Sequence, residues 1–288
     1  MNVWLRILIL FPILFIFSAL FYGAVFLIFP ELYSASRTEY ELLMSTNFSI
    51  LFLTQIALLL GTISSILFVS KIINKESPLF LKSMMNIKGL LVGIFLGIFL
   101  ILLTVTLMSF FNPLKIRYQG FDIRSFFYLV IFFIVAISEE MLSRGYIFYN
   151  LFSSINKLFA ILSSSLIFAL MHVFNSSLNT VGFINLILAG ILFTLLYLSK
   201  MNLSIPIGIH FSWNFFLGPV LGFSVSGFVT NSVFKTEYAS GKVFSFQGFG
   251  LEGSFFLTLI IIPFIIYFFY KNRQKILIKN CKSDNISF

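Results

Sequence analysis

Charge is what this 288-residue chain has little of. Charged residues make up 10% of it, against about 25% in soluble proteins, while hydrophobic residues make up 59%. This number of charges is too small to cover the surface of a soluble protein of this length. Most of the chain must therefore be solvated by lipid. The composition therefore excludes an ordinary soluble protein and predicts a polytopic membrane protein.

Cysteine is also nearly absent, since Cys281 is the only one and cannot form an internal disulfide. The few charges are mostly positive, with 19 Lys and Arg against 10 Asp and Glu. These basic residues lie in loops between apolar segments, where they set topology and contact anionic lipid headgroups. The lipid bilayer is therefore the expected partner, and nucleic acid is not.

Eight apolar segments are long enough to cross a bilayer as helices, and the sequence needs no strands. The predicted fold is an all-α, polytopic transmembrane helical bundle of about eight spans. The spans are Trp4–Phe29, Asn47–Ser70, Gly89–Phe111, Ser125–Phe152, Lys157–Phe174, Val181–Ser199, Leu203–Phe223 and Ser254–Tyr270.

An even number of spans places both termini on one side of the membrane. The C-terminal tail contains Lys271, Arg273, Lys275, Lys279 and Lys282 against only Asp284. The positive-inside rule therefore predicts a multi-pass protein of the cell membrane with both termini in the cytoplasm. The predicted outer loop that contains Lys115 and Arg117 does not follow the rule.

A few ionisable residues lie inside the apolar spans, where each costs about 2.5–3.5 kcal/mol and needs a partner. The fourth span contains Glu139, Glu140 and Arg144. Residues four apart share a helix face, so Glu140 and Arg144 are predicted to form a structural ion pair. The adjacent Glu139 points away from that pair and stays free for chemistry. Such a pair is equally compatible with a role limited to holding helices together.

The only two histidines, His172 and His210, lie in the fifth and seventh spans. Phe168 precedes the first by four residues, and Asn214 follows the second by four. A lone histidine in a membrane helix often only donates to a neighbouring carbonyl, so each histidine taken singly could be structural. Two histidines together with an unpaired Glu favour a functional site.

These spacings resemble a known family. The motifs Glu139-Glu140-x-x-x-Arg144, Phe168-x-x-x-His172 and His210-x-x-x-Asn214 are similar to those of the CPBP family of intramembrane glutamic endopeptidases, which includes the CAAX prenyl endopeptidases and lysostaphin-resistance-like bacterial members. The resemblance defines residues 125–223 as a catalytic core. It leaves three N-terminal helices without a role at 1–124, and an outer loop, the last helix and a basic cytoplasmic tail at 224–288.

The resemblance implies a membrane-embedded endopeptidase that cleaves a membrane-associated peptide or protein. Glu139 would be the general base that, with His172, activates water, and His210 and Asn214 would donate hydrogen bonds to the oxyanion. Glu140 and Arg144 would orient the helix. It implies neither a cofactor nor a metal. The substrate stays open between prenylated CAAX ends, bacteriocin precursors and other membrane peptides, as does the oligomeric state.

Other protease mechanisms fit the sequence less well. A zinc protease of the membrane would need a His-Glu-x-x-His motif, which the sequence lacks. A presenilin-type protease would need two aspartates within the membrane, whereas Asp122 and Asp284, the only two, lie in polar segments. A metal held by Glu139, His172 and His210 stays open as an alternative. So does a non-enzymatic membrane protein on the same scaffold, such as an immunity or transporter-associated factor.

The spacing of Glu139 and His172 predicts where the site lies. The midpoint between them falls in the polar turn 153–157. In an antiparallel helical hairpin, two residues equally far from the turn lie level with each other, so we expect these side chains to meet. We also expect a water-containing cavity that includes Glu139, His172, His210 and Asn214.

Overall fold

The computed structural model describes residues 1–76, 86–111, 113–121, 123–238 and 248–277. Five residues used in the sequence analysis lie outside these ranges: Asp122, Lys279, Cys281, Lys282 and Asp284.

The described chain is mostly helical. In chain order its helices are α1 (Val3–Ile28), α2 (Glu31–Ser34), α3 (Arg37–Thr46), α4 (Phe48–Phe68), α5 (Ile87–Phe111), α6 (Ile123–Glu140), α7 (Tyr149–Ser154), α8 (Lys157–Leu170), α9 (Thr180–Lys200), α10 (Ser204–Phe215) and α11 (Phe255–Leu277). Wider π-helical turns extend α4 over Val69–Ile73, join α6 to α7 over Met141–Phe148 and extend α10 over Phe216–Val220. The predicted all-α, polytopic helical bundle is confirmed.

Six of these helical segments in the described chain are long and apolar enough to cross a membrane. They are Val3–Ile28, Phe48–Ile73, Ile87–Phe111, Ser125–Ser154, Thr180–Lys200 and Phe255–Leu277. The protein is therefore a multi-pass membrane protein. The other two predicted spans correspond to shorter helices, α8 with 14 residues and α10 with 12.

The helix α8 ends earlier than the sequence analysis expected. The predicted span reached Phe174, whereas the helix stops at Leu170 and His172 lies in the turn that follows. Asn175, Ser176 and Ser177 come next, and Ser177 has a positive φ of 61°. Short polar side chains compete for backbone hydrogen bonds and favour turns over helix, which explains the early end.

One small sheet departs from the expectation that no strands are needed. Strand β1 (Leu114–Tyr118) pairs antiparallel with β2 (Phe234–Tyr238). Pro113 cannot continue a helix, and the following residues alternate between basic and apolar side chains, as strands with two different faces do. The spans were identified by apolar length, a criterion that does not detect so short a strand.

Asparagine side chains begin several of the helices. Asn2, Asn47, Asn156 and Asn179 accept hydrogen bonds from backbone N–H groups in the first turns of α1, α4, α8 and α9. The first turn of a helix has N–H groups with no partner within the helix, and these caps satisfy some of them. The sequence thus fixes where the two helices that flank His172 begin.

The helices α5 and α10 cross with almost no space between their backbones. A Cβ atom at Gly93 would overlap the carbonyl oxygen of Ile205, and one at Gly208 would overlap that of Leu90. Small residues at such positions let membrane helices approach closely. The third N-terminal span, which the sequence analysis left without a role, therefore supports the helix that carries His210.

We expect Gly93→Ala to lower the melting temperature of the protein in detergent. The added methyl group would push α5 away from α10, and overpacking of this kind costs about 1–3 kcal/mol. The matched control is Gly23→Ala in α1, where a Cβ would have nothing within 4 Å. Equal melting temperatures for the two variants would contradict the close packing described for α5 and α10.

Candidate active site

The buried ion pair predicted at the end of α6 is present. Arg144 Nη1 donates to Glu140 Oε1 at 2.7 Å, and the side chains are 1% and 0% exposed. Arg144 also donates to Ser143 Oγ at 3.0 Å and to the carbonyl oxygen of Gly190 at 3.2 Å. The pair therefore joins the segment after α6 to the middle of α9.

Two aromatic rings complete the surroundings of the Arg144 guanidinium. Its Cζ lies 4.4 Å from the ring centroid of Phe168 and 5.2 Å from that of Phe193. A cation above an aromatic face is stabilised by the ring's electron density, and more so away from water. The Phe of the second motif thus packs on the Arg of the first.

His210 binds the same carboxylate as Arg144. Its Nδ1 lies 2.9 Å from Glu140 Oε1. The sequence analysis assigned Glu140 only to Arg144, and it missed this second partner because His210 is 70 residues away along the chain. Since a carboxylate accepts, His210 Nδ1 is the donor. Glu140 therefore orients a histidine as well as pairing an arginine.

His172 is held in a similar way by a backbone group. Its Nδ1 lies 2.9 Å from the carbonyl oxygen of Phe168, and the two rings are 4.8 Å apart. A carbonyl oxygen only accepts, so Nδ1 carries the proton. The other ring nitrogen, Nε2, lies 3.5 Å from Glu139 Oε2. The expectation that Glu139 and His172 meet across the hairpin is confirmed.

Glu139 faces both histidines at once. Its Oε2 atom is 3.8 Å from His210 Nε2 as well as 3.5 Å from His172 Nε2, and its side chain is 25% exposed. This oxygen makes no hydrogen bond to the described part of the chain. With both Nδ1 atoms acting as donors, a neutral imidazole presents a lone pair at Nε2. Glu139 Oε2 and the Nε2 atom of a neutral His172 are then two acceptors that converge on one point, an arrangement that suits the two hydrogens of a bound water molecule.

A small cavity of about 50 Å³ lies beside the two histidines. About 10–15 Å³ of such space is enough for one water molecule. Its wall is largely apolar, and its polar lining includes His172, Asn185, His210, Asn214, Ser226 and Glu252.

The sequence analysis expected one cavity that includes Glu139, His172, His210 and Asn214, and this expectation is wrong for Glu139. Glu139 does not line this cavity, although it contacts both histidines that do. The sequence places Glu139 on a helix face but does not show which side of the imidazoles that face meets. Asn214 is buried and lines the cavity as expected.

The sequence analysis missed one acidic residue at the site. Glu252 is buried in a 3₁₀ turn, Leu251–Gly253, directly before α11. Its position within the segment 224–288 had suggested an outer loop or the last helix. The available signal was a single acidic residue in a Gly-rich segment immediately before an apolar helix.

No group of three or more His, Cys, Asp or Glu residues that could hold a metal ion occurs within the described ranges. Glu139, His172 and His210, the alternative ligand set, do not form such a group.

Comparison with known families agrees with the motif analysis. Residues 122–216 match the family model described as Rce1-like type II CAAX prenyl endopeptidase. No curated protein and no solved structure matches the chain significantly. The matched segment contains all three motifs, from Glu139 in α6 to Asn214 in α10. This segment is therefore similar to an Rce1-like CAAX prenyl endopeptidase domain, which supports the CPBP/CAAX family that the motifs indicated.

Proposed function

We propose that this protein hydrolyses a peptide bond of a membrane-associated peptide or protein with a water molecule activated by Glu139 and His172. One observation carries the proposal, namely the approach of Glu139 Oε2 to the Nε2 atoms of His172 and His210 at 3.5 and 3.8 Å. A carboxylate oxygen with no hydrogen bond to the described chain, beside two oriented imidazoles, is suited to general-base chemistry.

In the first step, a water molecule bound at this point donates one hydrogen bond to Glu139 Oε2 and one to His172 Nε2. Its oxygen attacks the peptide carbonyl while Glu139 accepts the proton. The product of this step is a tetrahedral intermediate with a negative oxygen and a protonated Glu139. In the second step the C–N bond breaks, and the proton held by Glu139 passes to the leaving amine.

The oxyanion of the intermediate needs donors. Asn214 supplies its side-chain amide from the cavity wall. His210 is held at Nδ1 by Glu140, so Nε2 is its second donor when the ring is protonated. In soluble proteases one such donor is worth about 2.7–4 kcal/mol of transition-state stabilisation. No residue becomes covalently attached to the peptide in this scheme.

Glu140 and Arg144 act through the geometry they impose. The buried pair fixes the helix end that carries Glu139, and Glu140 also fixes the ring of His210. The third N-terminal transmembrane span, α5, contributes by packing on α10. The apolar cavity wall suits a membrane-associated peptide as the substrate class.

We expect Glu139→Gln to lose activity and Glu140→Gln to lose thermal stability. Each change replaces one carboxylate with an amide of the same shape, at adjacent positions of one helix. Glu139→Gln removes the base, which contributes about 10²–10⁴-fold in comparable enzymes, and leaves the ion pair intact. Glu140→Gln leaves Arg144 without its counter-charge, and breaking a buried pair costs about 3–5 kcal/mol.

The measurement combines melting in detergent with the release of peptide fragments from membranes that contain each variant. Glu139→Gln should melt like the wild type and produce no new fragments, whereas Glu140→Gln should melt at a lower temperature. The same fragments in wild-type and Glu139→Gln membranes would contradict the proposed chemistry. Equal loss of thermal stability in both variants would contradict the division between the two carboxylates.

We also expect hydrolysis to proceed without a metal. Purified protein should contain no stoichiometric zinc, and prolonged chelation should leave the release of fragments unchanged. Elemental analysis before and after chelation provides the measurement. Zinc at about one per chain, with activity lost on its removal and restored on its return, would replace the water-activation scheme with a metalloprotease mechanism.

A further inference from the structure

The buried carboxylate of Glu252 lines the cavity, and the mechanism above does not use it. Glu252 Oε1 accepts from Trp213 Nε1 at 3.0 Å. Its Oε2 accepts from Ser226 Oγ at 2.8 Å and also from the backbone N–H of Ser226. No Lys or Arg of the described chain forms a salt bridge with it, so three neutral donors hold this carboxylate.

These donors connect Glu252 to the helix that carries His210. Trp213 follows His210 by three residues and directly precedes Asn214. A hydrogen bond to the indole N–H therefore fixes the α10 turn from which both proposed oxyanion donors project. The residues that meet here are 39 apart in sequence.

Ser226 connects the same carboxylate to the turn that carries His172. Asn175 Nδ2 donates to the carbonyl oxygen of Ser226 at 3.1 Å. The backbone N–H of Asn175 donates to the carbonyl oxygen of His172 at 2.9 Å. Because α8 ends before His172, the position of this histidine depends on the turn and its contacts rather than on a helix.

The loop around Ser226 has a backbone that needs such contacts. Ser226 has a φ of +47°, an unusual value for a residue other than glycine, and Gly227 follows with +88°. Gly250, two residues before Glu252, has a φ of +81°, and a Cβ there would overlap the carbonyl oxygen of Ser224. A sparsely populated conformation persists only where its surroundings hold it in place. Ser226 is held in part by the two hydrogen bonds that it donates to Glu252.

We infer that Glu252 is a positioning residue that sets the separation of His172 from His210 and Asn214. Asn175, Ser226, Glu252 and Trp213 form a clasp across the cavity, with Glu252 at its centre. The inference rests on the proposed hydrolysis and goes beyond it, because it assigns a role to a residue outside the three motifs and outside the matched segment 122–216.

The hydrogen bonds also separate this role from direct acid–base chemistry. Both carboxylate oxygens of Glu252 already accept from protein donors. Trp213 connects Glu252 to the helix that carries His210 and Asn214. Ser226, through Asn175, connects it to the turn that carries His172. Glu252 thus acts through the residues it holds, and substrate binding does not require it to contact the peptide.

The test compares Glu252→Gln with Glu237→Gln in the full-length protein. Glu237 is paired with Lys235 at 2.9 Å on the strand β2, away from the cavity. A glutamine at 252 has one accepting oxygen, so it cannot satisfy Trp213 and Ser226 together. We expect kcat to fall about 10–100-fold with KM changed less than about 2-fold, since a misplacement of about 1 Å can cost 10²-fold. Glu237→Gln should change neither.

Ser226→Ala provides a milder variant in case Glu252→Gln does not fold. It removes the hydroxyl donor and keeps the backbone N–H, so kcat should fall in the same direction but less. Wild-type kcat in a folded Glu252→Gln, or a change of KM with kcat constant, would overturn the inference.

A spectroscopic measurement keeps the inference testable without hydrolysis. The chain contains only two histidines, so the spectrum of protein labelled with ¹⁵N-histidine reports on the two rings alone. Glu252→Gln should shift the imidazole signals, and Glu237→Gln should leave them unchanged. Unchanged signals in Glu252→Gln would overturn the clasp. If Glu252→Gln shifts the signals as expected but the wild type hydrolyses no peptide, the proposed function is overturned and the clasp is not.

Discussion

The carboxylate of Glu140 is the fixed point on which the rest of the site depends. One of its oxygens accepts from Arg144 at 2.7 Å and from His210 at 2.9 Å, in a position shielded from water. An unpaired charge is costly in such an environment, so the three side chains hold one another in place. Because His210 must donate from Nδ1, its Nε2 is left facing Glu139. The buried ion pair thereby sets how His210 faces Glu139, the proposed base.

The scaffold places short elements at the site and long ones around it. The helices that precede His172 and carry His210 have 14 and 12 residues, while six longer helical segments are able to cross the membrane. Where such a helix ends within the membrane, the non-helical backbone that follows needs protein or water around it. Glycine contacts between α5 and α10 and the clasp centred on Glu252 provide such support.

Local spacing made the helical fold and several contacts between the candidate residues predictable from the sequence. A separation of four residues was enough to pair Glu140 with Arg144, and equal distances from a polar turn brought Glu139 to His172. Contacts between distant segments were not predictable in this way. The bond from Trp213 to Glu252 and the pairing of β1 with β2 depend on how whole helices pack, which periodicity does not encode.

The most direct test of water activation by Glu139 is a single turnover in H₂¹⁸O. The substrate is a membrane peptide identified from the fragments that the wild type releases, and the enzyme is in excess over it. Mass spectrometry of the new C-terminal carboxylate then shows the source of the added oxygen. Direct attack by water predicts ¹⁸O in that carboxylate from the first turnover. A first-turnover product without ¹⁸O would mean that an oxygen of the enzyme attacked the peptide, and it would contradict the role of Glu139 as a base.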